Sequence, residues 1–537
     1  MTPPSLQPSM TGMQAFHEAV RLDSIGRFAD AQKLCAQLLK AAPNHPDVQH
    51  LMGVIYFHGG KLEDAARHLK QALKLKPDMT EAASNLAKVY YRKGKWRELL
   101  ATLETIRDRA PDRLGVLTDI GFAHEQLGDV EAALASYHAA LALDPAAPLA
   151  HANIGAILTK RGSVAAARDH LTRALAAPRP PEAAFLNMAV LLDREGRKTD
   201  VIGMYDDLLA RAPDHVLAHF QRAMALLSQE RFAEGWAEYA WRFRRPDSQT
   251  LHAAFTCPLW RGEALAGRKV LVWTEQGPGD EILLASMLPD VIAAGAELIL
   301  VCSPRLLSLF RRSFPAADVV SNVRIKPTAC DLQASFSDLG AVLRPTRETF
   351  PARARTLVAD EARRARLRET YQRAKPGTKL VGIAWHSANA AAESHKSIGL
   401  EAWVPILRQP NATFVSLQYG DHRNEIAAVR AAFGCEIIHD PGINALTSID
   451  DFAAQAAAMD HVVSVSNTTV HVAGALGIPT LVLVPKAFGR MWYWFQGRED
   501  SPWYPSLRLI RQQDDDAWDA PLAAAAAELT RWLESAT

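Results

Sequence analysis

Five hydrogen-bonding side chains are crowded where an apolar strand gives way to an apolar helix, in the stretch "SVSNTTVHVAGALGIP" at residues 464–479. They are Ser466, Asn467, Thr468, Thr469 and His471. The simplest interpretation is that Ser466 or Asn467 caps the helix. One residue is enough for a cap, whereas a helix start combined with two threonine hydroxyls and a histidine can bind a phosphate. The stretch therefore predicts a phosphate site.

A second candidate is the stretch "TEQGPGDEILL" at residues 274–284, where Gly277 and Gly279 lie in a strand-to-helix loop. Such loops bind ligands in α/β sheets. No Gly-Lys-Ser/Thr follows and Ile282 occupies the third glycine position, so a Walker A loop and a dinucleotide fingerprint are both excluded. Asp280 at the mouth of the loop could be a general base. The alternative is that Asp280 caps the helix, and spacing alone favours the cap.

A third candidate is the small-residue polar loop that follows the strand "GIAW". One lysine in such a loop can hold a phosphate as a point charge. A solvated surface lysine is the alternative, and spacing does not decide between the two. The polar residues of this loop are His386, Ser387, Asn389, His395, Lys396 and Ser397.

Two further polar stretches are expected to be structural. Residues 497–512 carry Arg498, Trp503 and Tyr504, which could line a cleft but are predicted to pack a domain edge. The acidic run at 514–516 is predicted to be a solvated loop, because it precedes the last helix without other metal-ligating residues nearby.

The elements that must position these residues are strands and helices in alternation. From about residue 265, short apolar strands such as "RKVLVW", "KLVGIAW" and "HVVSV" alternate with helices, and "DEILLASMLPDVIAAG" is predicted as one helix. This alternation indicates parallel sheets. A polar helix with a Pro-Gly stop divides the region into two Rossmann-like domains, 265–375 and 376–512. A closing helix at 520–537 could pack back across the first of them.

The first half of the chain is a repeat array. In the second unit, Leu51 and Ile55 are predicted to line one helix and Leu69 the returning helix, with Gly53 permitting their close approach. We count six clear units and a degraded seventh at 216–249, so residues 12–249 are predicted to form an all-α superhelix. Its groove is expected to bind a protein or peptide, a structural spacer being the alternative. The period of 34 residues is typical of tetratricopeptide repeats and is marked by Gly26, Gly60, Gly94, Gly128, Gly162 and Gly196.

Composition limits the classes of function. The chain has 60 basic and 59 acidic residues among 537, so bulk charge does not favour a nucleic acid or an anionic membrane as partner. The five cysteines are scattered without a CxxC pair, which predicts buried free thiols rather than a zinc site or a disulfide framework. The N-terminus lacks a signal-peptide pattern, and no apolar run reaches membrane-spanning length. A cytoplasmic location is therefore expected.

Taken together, "PLWRGEALAGRKVLVWTEQGPGDEILLASMLP", "VSNTTVHVAGALGIP" and "REDSPWYPSLRLIRQ" resemble bacterial tetratricopeptide-repeat proteins with a C-terminal GT-B glycosyltransferase domain. That domain is similar to the heptosyltransferases (family 9), and more distantly to glycosyltransferases that modify proteins, including soluble ones that modify flagellin. With the repeats, the resemblance covers nearly the whole chain. It implies a multidomain fold in which a helical superhelix precedes two Rossmann-like domains.

The resemblance also implies roles for individual residues. Asp280 matches the candidate base of the first Gly-Asp loop, and Lys396 matches a lysine that assists the donor phosphates. Asn467, Thr468 and His471 match an Asp-Thr and a His near the donor, with Asn467 replacing the acid. The remaining residues expected to bind the donor are Gly277, Gly279, His386, Ser387, Ser466 and Thr469.

The implied reaction is metal-independent transfer of a sugar from a nucleotide-sugar, with neither metal nor cofactor. The expected partner is a protein acceptor held by the repeats, with flagellin as the specific candidate. Two alternatives stay open: a transferase acting on lipopolysaccharide or another glycan, and a non-catalytic scaffold with a degenerate sugar-nucleotide domain. Asn467 is the main support for the scaffold.

Overall fold

The chain divides into two compact units, Met1–Leu191 and Leu192–Thr537. The computed structural model describes residues 11–245, 255–323, 329–387, 393–486, 491–513 and 517–535. Asn389 and the acidic run at 514–516 lie outside the described residues. Within the described residues, no helix combines the length and apolar character that crossing a bilayer would require.

Residues 12–239 form antiparallel helical pairs, as the 34-residue period predicts. The first and second helices of each pair alternate along the chain. The helices are α1 Gly12–Ser24, α2 Phe28–Ala41, α3 Pro46–His58, α4 Leu62–Leu75, α5 Thr80–Arg92, α6 Trp96–Ile106, α7 Arg113–Gln126, α8 Val130–Leu143, α9 Pro148–Lys160, α10 Val164–Leu175, α11 Glu182–Arg194, α12 Lys198–Arg211, α13 Val216–Ser228 and α14 Phe232–Tyr239.

Each pair turns at the repeated glycine position. All six glycines there have positive φ, between 63° and 82°, which only glycine adopts without cost. Glu230 takes the same turn in the seventh pair with φ of 60°. Its carboxylate lies 3.0 Å from Arg498, so a side-chain contact accompanies the less favourable backbone. The close approach of two helices predicted at Gly53 is confirmed, because a Cβ at this position would lie 2.6 Å from Leu69.

The first α/β block contains a four-stranded parallel sheet. Its strand order is β3-β2-β1-β4, so the direction of winding reverses between β1 and β4. The elements are β1 Lys269–Trp273, α15 Pro278–Ala285, α16 Leu288–Ala293, β2 Glu297–Cys302, α17 Leu307–Ser313, β3 Asp318–Ser321, β4 Leu332–Ser335, α18 Asp338–Leu343 and α19 Glu361–Gln372.

The second α/β block contains a six-stranded parallel sheet. Its order is β10-β9-β8-β5-β6-β7, and here the winding reverses between β5 and β8. The elements are β5 Lys379–Ala384, α20 Glu393–Lys396, α21 Val404–Leu407, β6 Ala412–Ser416, α22 Arg423–Phe433, β7 Ile437–Ile438, α23 Ile449–Ala457, β8 His461–Val465, α24 Thr468–Ala475, β9 Thr480–Val484, β10 Leu507–Arg511 and α25 Asp519–Ser535.

The last helical pairs belong to the same compact unit as the two sheets. One apolar core runs from Leu227 and Trp236 in the repeats through both sheets. The Trp236 indole donates to the carbonyl of Arg344 at 3.0 Å, and its ring lies against Gly340, where a Cβ would come within 2.5 Å. The boundary between the two compact units therefore lies inside the array, near residue 191.

Two predicted helices differ from the structure. The expected single helix at 280–295 is two helices, α15 and α16, with a break before Pro289 because proline cannot donate the backbone hydrogen bond that continuity needs. The closing helix α25 packs on the second sheet, not the first. Its Leu522 and Leu529 share a core with Val381 and Leu481.

The prediction that all cysteines are free thiols is wrong for one pair. Cys257 and Cys330 form a disulfide with their Cα atoms 5.9 Å apart. The pair is 73 residues apart in sequence and is brought together by the segment before β1, which pairs with β4 through Leu259 and Gln333. Spacing could not reveal this contact. Cys35, Cys302 and Cys435 are free and buried, as predicted.

Candidate functional site

A cavity of about 460 Å³ lies between the two α/β blocks, and we call it the central cavity. The winding of both sheets reverses beside it, at the strand ends that lead to Gly277 and to Ser466. Loops at such a switch point splay apart and leave a crevice, which is where open α/β sheets bind ligands. Its size suits a small molecule.

Asp280 enters the central cavity from the first turn of α15. Gly277 is the N-cap of that helix and no side chain caps it, so the interpretation of Asp280 as the cap is wrong. Burial raises the pKa of Asp280 to about 6; the charge of Glu275 acts in the same direction and that of Lys396 in the opposite one. A carboxylate with this pKa can accept a proton near neutral pH.

The carboxylate of the next residue, Glu281, points away from the central cavity. Glu281 is 3% exposed and accepts a hydrogen bond at 3.0 Å from the backbone N–H of Ser303, at the end of β2. Burial raises its pKa to about 7. Glu281 therefore ties α15 to the sheet, and Asp280 alone of the two faces the cavity.

Two cations line the same cavity, Lys396 and Arg305. Lys396 is only 4% exposed, and burial lowers its pKa to about 8 while the carboxylate of Asp280 acts in the opposite direction. The surface-lysine alternative is thereby excluded. Arg305 is half-buried and follows β2 in the first block. With Asp280, these groups leave one excess positive charge on the described lining, which suits an anion.

The start of α24 explains part of the polar crowding at 466–471. Asn467 is the N-cap, and its side-chain oxygen accepts from the N–H of Thr469 at 2.9 Å. Its amide nitrogen donates to the carbonyl of His386 at 2.9 Å, which joins the ends of β8 and β5. Ser466 accepts from the indole of Trp494 at 2.7 Å. The neutral amide of Asn467 makes both contacts, one as acceptor and one as donor, which a carboxylate cannot do.

The two threonine side chains at the start of α24 face the central cavity. Thr468 is half-buried and lines the central cavity. The hydroxyl oxygen of Thr469 is buried and, within the described residues, has no hydrogen-bond partner. Buried polar groups without a partner are uncommon, and one beside a cavity suggests that a ligand supplies the partner.

His471 is held as a neutral ring. Its two ring nitrogens lie 3.3 Å from the Tyr504 hydroxyl and 3.2 Å from the Tyr493 hydroxyl. Burial lowers its pKa to about 3, and the charge of Lys396 acts in the same direction. A neutral ring donates to one hydroxyl and accepts from the other, so His471 can shape the cavity without adding charge.

Gly279 is the point of closest approach between α15 and α24. A Cβ at this position would lie 3.1 Å from the His471 ring and 3.5 Å from the Thr468 hydroxyl. Gly277, two residues earlier, has open space around it. The second glycine of the loop is therefore the one that the narrow gap requires.

We expect Gly279→Ala to destabilise the protein by about 1–3 kcal/mol, because the added methyl overpacks the contact with His471. Gly277→Ala is the matched control. Its φ of −75° and the open space around it admit alanine, so this variant should lose only the preference for glycine at an N-cap, no more than about 1 kcal/mol. Thermal and denaturant unfolding of both variants measure the difference, and equal effects would contradict this account of the gap.

The loop that carries Asp280 is anchored by the last repeat. The guanidinium of Arg242 donates to both carboxylate oxygens of Glu275, at 2.7 and 2.9 Å, and to Asp338 at 2.9 Å. The side chains of Arg242 and Glu275 are 7% and 5% exposed. The next residue, Gln276, donates to the Tyr239 hydroxyl at 2.7 Å. The repeat therefore fixes the start of the loop.

We expect Arg242→Ala to destabilise the protein by about 3–5 kcal/mol, since it leaves the buried Glu275 carboxylate without its partner. Arg244→Ala is the control, because Arg244 is exposed and stacks on Trp241, and should cost less than about 1 kcal/mol. Denaturant unfolding measures both. A loss in Arg242→Ala no larger than in Arg244→Ala would show that the anchor contributes nothing.

A smaller cavity of about 330 Å³ adjoins the central cavity, and we call it the side cavity. The two share Tyr419, Ala445, Leu446 and Phe452 in their walls. Aromatic and aliphatic walls with a few polar groups are typical of sites for small organic ligands. Ligand atoms in the central cavity can therefore continue into the side cavity.

The first compact unit has a groove of its own, of about 690 Å³, lined mainly by α5, α6 and α7. Tyr91 is 48% exposed, and Lys88 and Arg92 stand near it. Asp119 also lines the groove, and burial raises its pKa to about 6, with the charge of Asp112 acting in the same direction. An exposed aromatic ring among charges of both signs suits a peptide.

The structure brings nearly all the predicted site residues together. Ten of the eleven line the central cavity: Asp280, Lys396, Gly277, Gly279, Ser387, Ser466, Asn467, Thr468, Thr469 and His471. His386 is not in the lining, because its ring turns to Glu425 at 2.9 Å. Reasoning from sequence missed Arg305 and Tyr493. Arg305 could have been found from its position after a strand next to β1.

Comparison with known families identifies the repeats. Residues 40–94 and 123–162 match the family described as TPR repeat, and residues 186–247 match the one described as tetratricopeptide repeat. The helical pairs are therefore tetratricopeptide repeats. Such repeats commonly mediate contacts between proteins.

The chain is also similar to Protein FlbA of Caulobacter vibrioides, with 35% identity over 340 residues. The match covers 60% of this chain and 56% of FlbA, so it spans little more than half of that relative.

Among solved structures, the chain resembles MamA (20% identity, 29% of this chain and 92% of that one, TM-score 0.28). It also resembles the Cut9–Hcn1 assembly of the APC/C (16%, 43% and 46%, TM-score 0.36) and PilF of Pseudomonas aeruginosa (15%, 38% and 92%, TM-score 0.33). These TM-scores are too low to assign the fold of the whole chain.

Proposed function

We propose that the protein is a GT-B glycosyltransferase that moves a sugar from a nucleotide-sugar to a protein acceptor recruited by its repeats. The observation that carries the proposal is the opposition of Asp280 to Lys396 across one cavity. Each comes from a different parallel sheet, near the point where that sheet reverses its winding. A base facing a cation in one crevice is what transfer from a phosphate leaving group requires.

The donor side would be the second block. Lys396 and the start of α24 supply positive charge and donors for the phosphates, and Arg305 adds a second cation from the first block. The unpartnered hydroxyl of Thr469 is a further donor. The side cavity, with Gln418 and Asn444 in its wall, is the place for the nucleoside.

The transfer step needs a proton acceptor and a stabilised leaving group. The acceptor hydroxyl would attack the anomeric carbon of the sugar, its proton would pass to Asp280, and the bond from that carbon to the phosphate oxygen would break. The nucleotide leaves with the negative charge, which Lys396 stabilises. The chemistry proposed in this step uses no metal ion.

The acceptor is proposed to be a protein because the repeats provide a separate groove, lined by Tyr91, Lys88 and Arg92. Flagellin is the specific candidate that the sequence resemblance suggests. A glycan acceptor would leave this groove without a role, which makes the alternative of a lipopolysaccharide transferase less well supported.

Intact-mass analysis tests the proposal. Candidate acceptors, flagellin first, are compared from cells with and without the gene, and a lost mass of glycan size is expected. Purified full-length protein is then incubated with the acceptor and uridine, adenosine, guanosine and cytidine sugar donors. The absence of any mass change, together with no calorimetric binding of any of these nucleotides, would overturn the proposal in favour of a scaffold.

A further inference from the structure

A cluster of two histidines and a glutamate lies beside the central cavity but outside its lining. His386 follows β5, while His422 and Glu425 lie at the start of α22. Their candidate ligand atoms all lie within 4.8 Å of one another, and the side chains are 24%, 21% and 37% exposed. Two imidazoles and one carboxylate are a common zinc ligand set, with a fourth position left for water.

Two oxygen atoms orient the imidazole ring of His422. Its Nε2 lies 3.2 Å from the carbonyl oxygen of Tyr419, and its Nδ1 lies 2.7 Å from Oε1 of Glu425. When the N–H of the ring is on Nε2 and is donated to the Tyr419 carbonyl, the lone pair of Nδ1 points at Glu425. A metal ion between the two side chains can then be bound by both.

A second imidazole and two outer contacts surround the same carboxylate. The rings of His386 and His422 are stacked with centroids 4.7 Å apart, and Nε2 of His386 lies 2.9 Å from the same carboxylate. When the proton of the His386 ring is on Nδ1, the lone pair of its Nε2 points at the Glu425 carboxylate, where a metal ion would be bound. The Tyr419 carbonyl orients His422 from the other side of its ring, and the Trp385 indole donates to Glu425 at 2.9 Å. Such outer contacts are usual around metal ligands.

We propose that His386, His422 and Glu425 bind one divalent transition-metal ion, with zinc as the best fit. Tetrahedral zinc ligands stand about 3.3 Å apart, so Glu425 has to withdraw from the two rings by less than about 1 Å. The ion would join the ends of β5 and β6. It would lie next to the carbonyl of His386, which accepts a hydrogen bond from the Asn467 amide. It lies beside the transfer site, and the inference does not rest on the proposed function.

Cobalt and zinc binding test the site on the full-length chain, stripped of metal and carrying no polyhistidine tag. We expect one equivalent of Co²⁺ with visible absorption of a tetrahedral centre, displaced by Zn²⁺ in calorimetry. His422→Ala and Glu425→Gln should weaken binding by at least about 100-fold, more than the loss of an outer contact. His422→Cys, which keeps a zinc ligand, should restore zinc binding.

The matched control is His58→Ala. His58 pairs with Asp23 at 2.8 Å on the repeats but has no second histidine in the cluster, so its loss should leave binding unchanged. Thermal unfolding of the metal-free variants checks that each is folded. The proposal is overturned if the wild-type chain binds neither ion, if His422→Ala binds as tightly as wild type, or if nuclear magnetic resonance shows a His422 imidazolium that zinc does not displace.

Discussion

Asp280→Asn is expected to reduce transfer by about 10²–10⁴-fold while leaving acceptor binding intact, because it removes the only carboxylate on the described lining of the central cavity. The wild-type rate should rise with pH through about 6, the pKa of Asp280, as the base becomes ionised. Initial rates between pH 5 and 9 measure both effects.

The matched control is Glu281→Gln, one residue away. Glu281 faces the N–H of Ser303, so this variant should keep most of the transfer activity. A comparable loss in both variants, or undiminished transfer by Asp280→Asn, would remove Asp280 from the role of base.

Asp280→Asn should also stabilise the protein above pH 6. The folded-state pKa of Asp280 is raised above its usual value of 3.8, so the ionised carboxylate costs stability in the folded state. That cost is absent below about pH 4, grows as the pH rises, and is complete above about 6. Because the carboxylate is partly open to the cavity, the gain is on the order of 1–3 kcal/mol. Unfolding at pH 4 and pH 8 separates this effect from a general change in packing.

Lys396→Ala is expected to lower kcat by about 10²–10³-fold, since a buried cation beside a leaving phosphate acts chiefly in the transition state. The wild-type rate should fall as the pH rises through about 8, where Lys396 loses its charge. Together with Asp280, this predicts a bell-shaped profile between about 6 and 8.

The residual activity of Lys396→Ala provides a second readout. The charge of Lys396 lowers the pKa of Asp280, so its removal should shift the acid limb of the profile to higher pH. Lys375→Ala is the control, because Lys375 is exposed and donates to the carbonyl of Pro410, away from the central cavity. An unshifted acid limb in Lys396→Ala would show that the two groups do not interact across the cavity.

The repeats were predictable from the sequence because their signal is local. A helical pair needs a turn with positive φ every 34 residues, and glycine supplies it at six positions. The strands were predictable for the same reason, since apolar runs between turns mark buried parallel strands. The strand ends then located the loops at Gly277, His386 and Ser466.

The division of the chain was less predictable. In the sequence, Arg242 and Trp236 belong to a degraded repeat. In the structure, Arg242 binds Glu275, and Trp236 donates to the carbonyl of Arg344. Nothing in a repeat pattern records which face of its last helix is covered by another fold. Arg305 and the Cys257–Cys330 pair were missed for a similar reason, because each depends on strands that are distant in sequence but adjacent in a sheet.

The sequence by itself determined the repeats, the α/β elements and the polar loops, because backbone conformation and burial follow from residues only a few positions apart. The tertiary structure alone decided the direction of each side chain. Asp280 and Glu281 are adjacent and chemically alike, but about 100° of helical rotation turns one into the cavity and the other to Ser303. It also decided that Asn467 caps α24 and holds His386, since a contact between two strand ends exists only once the sheet has formed.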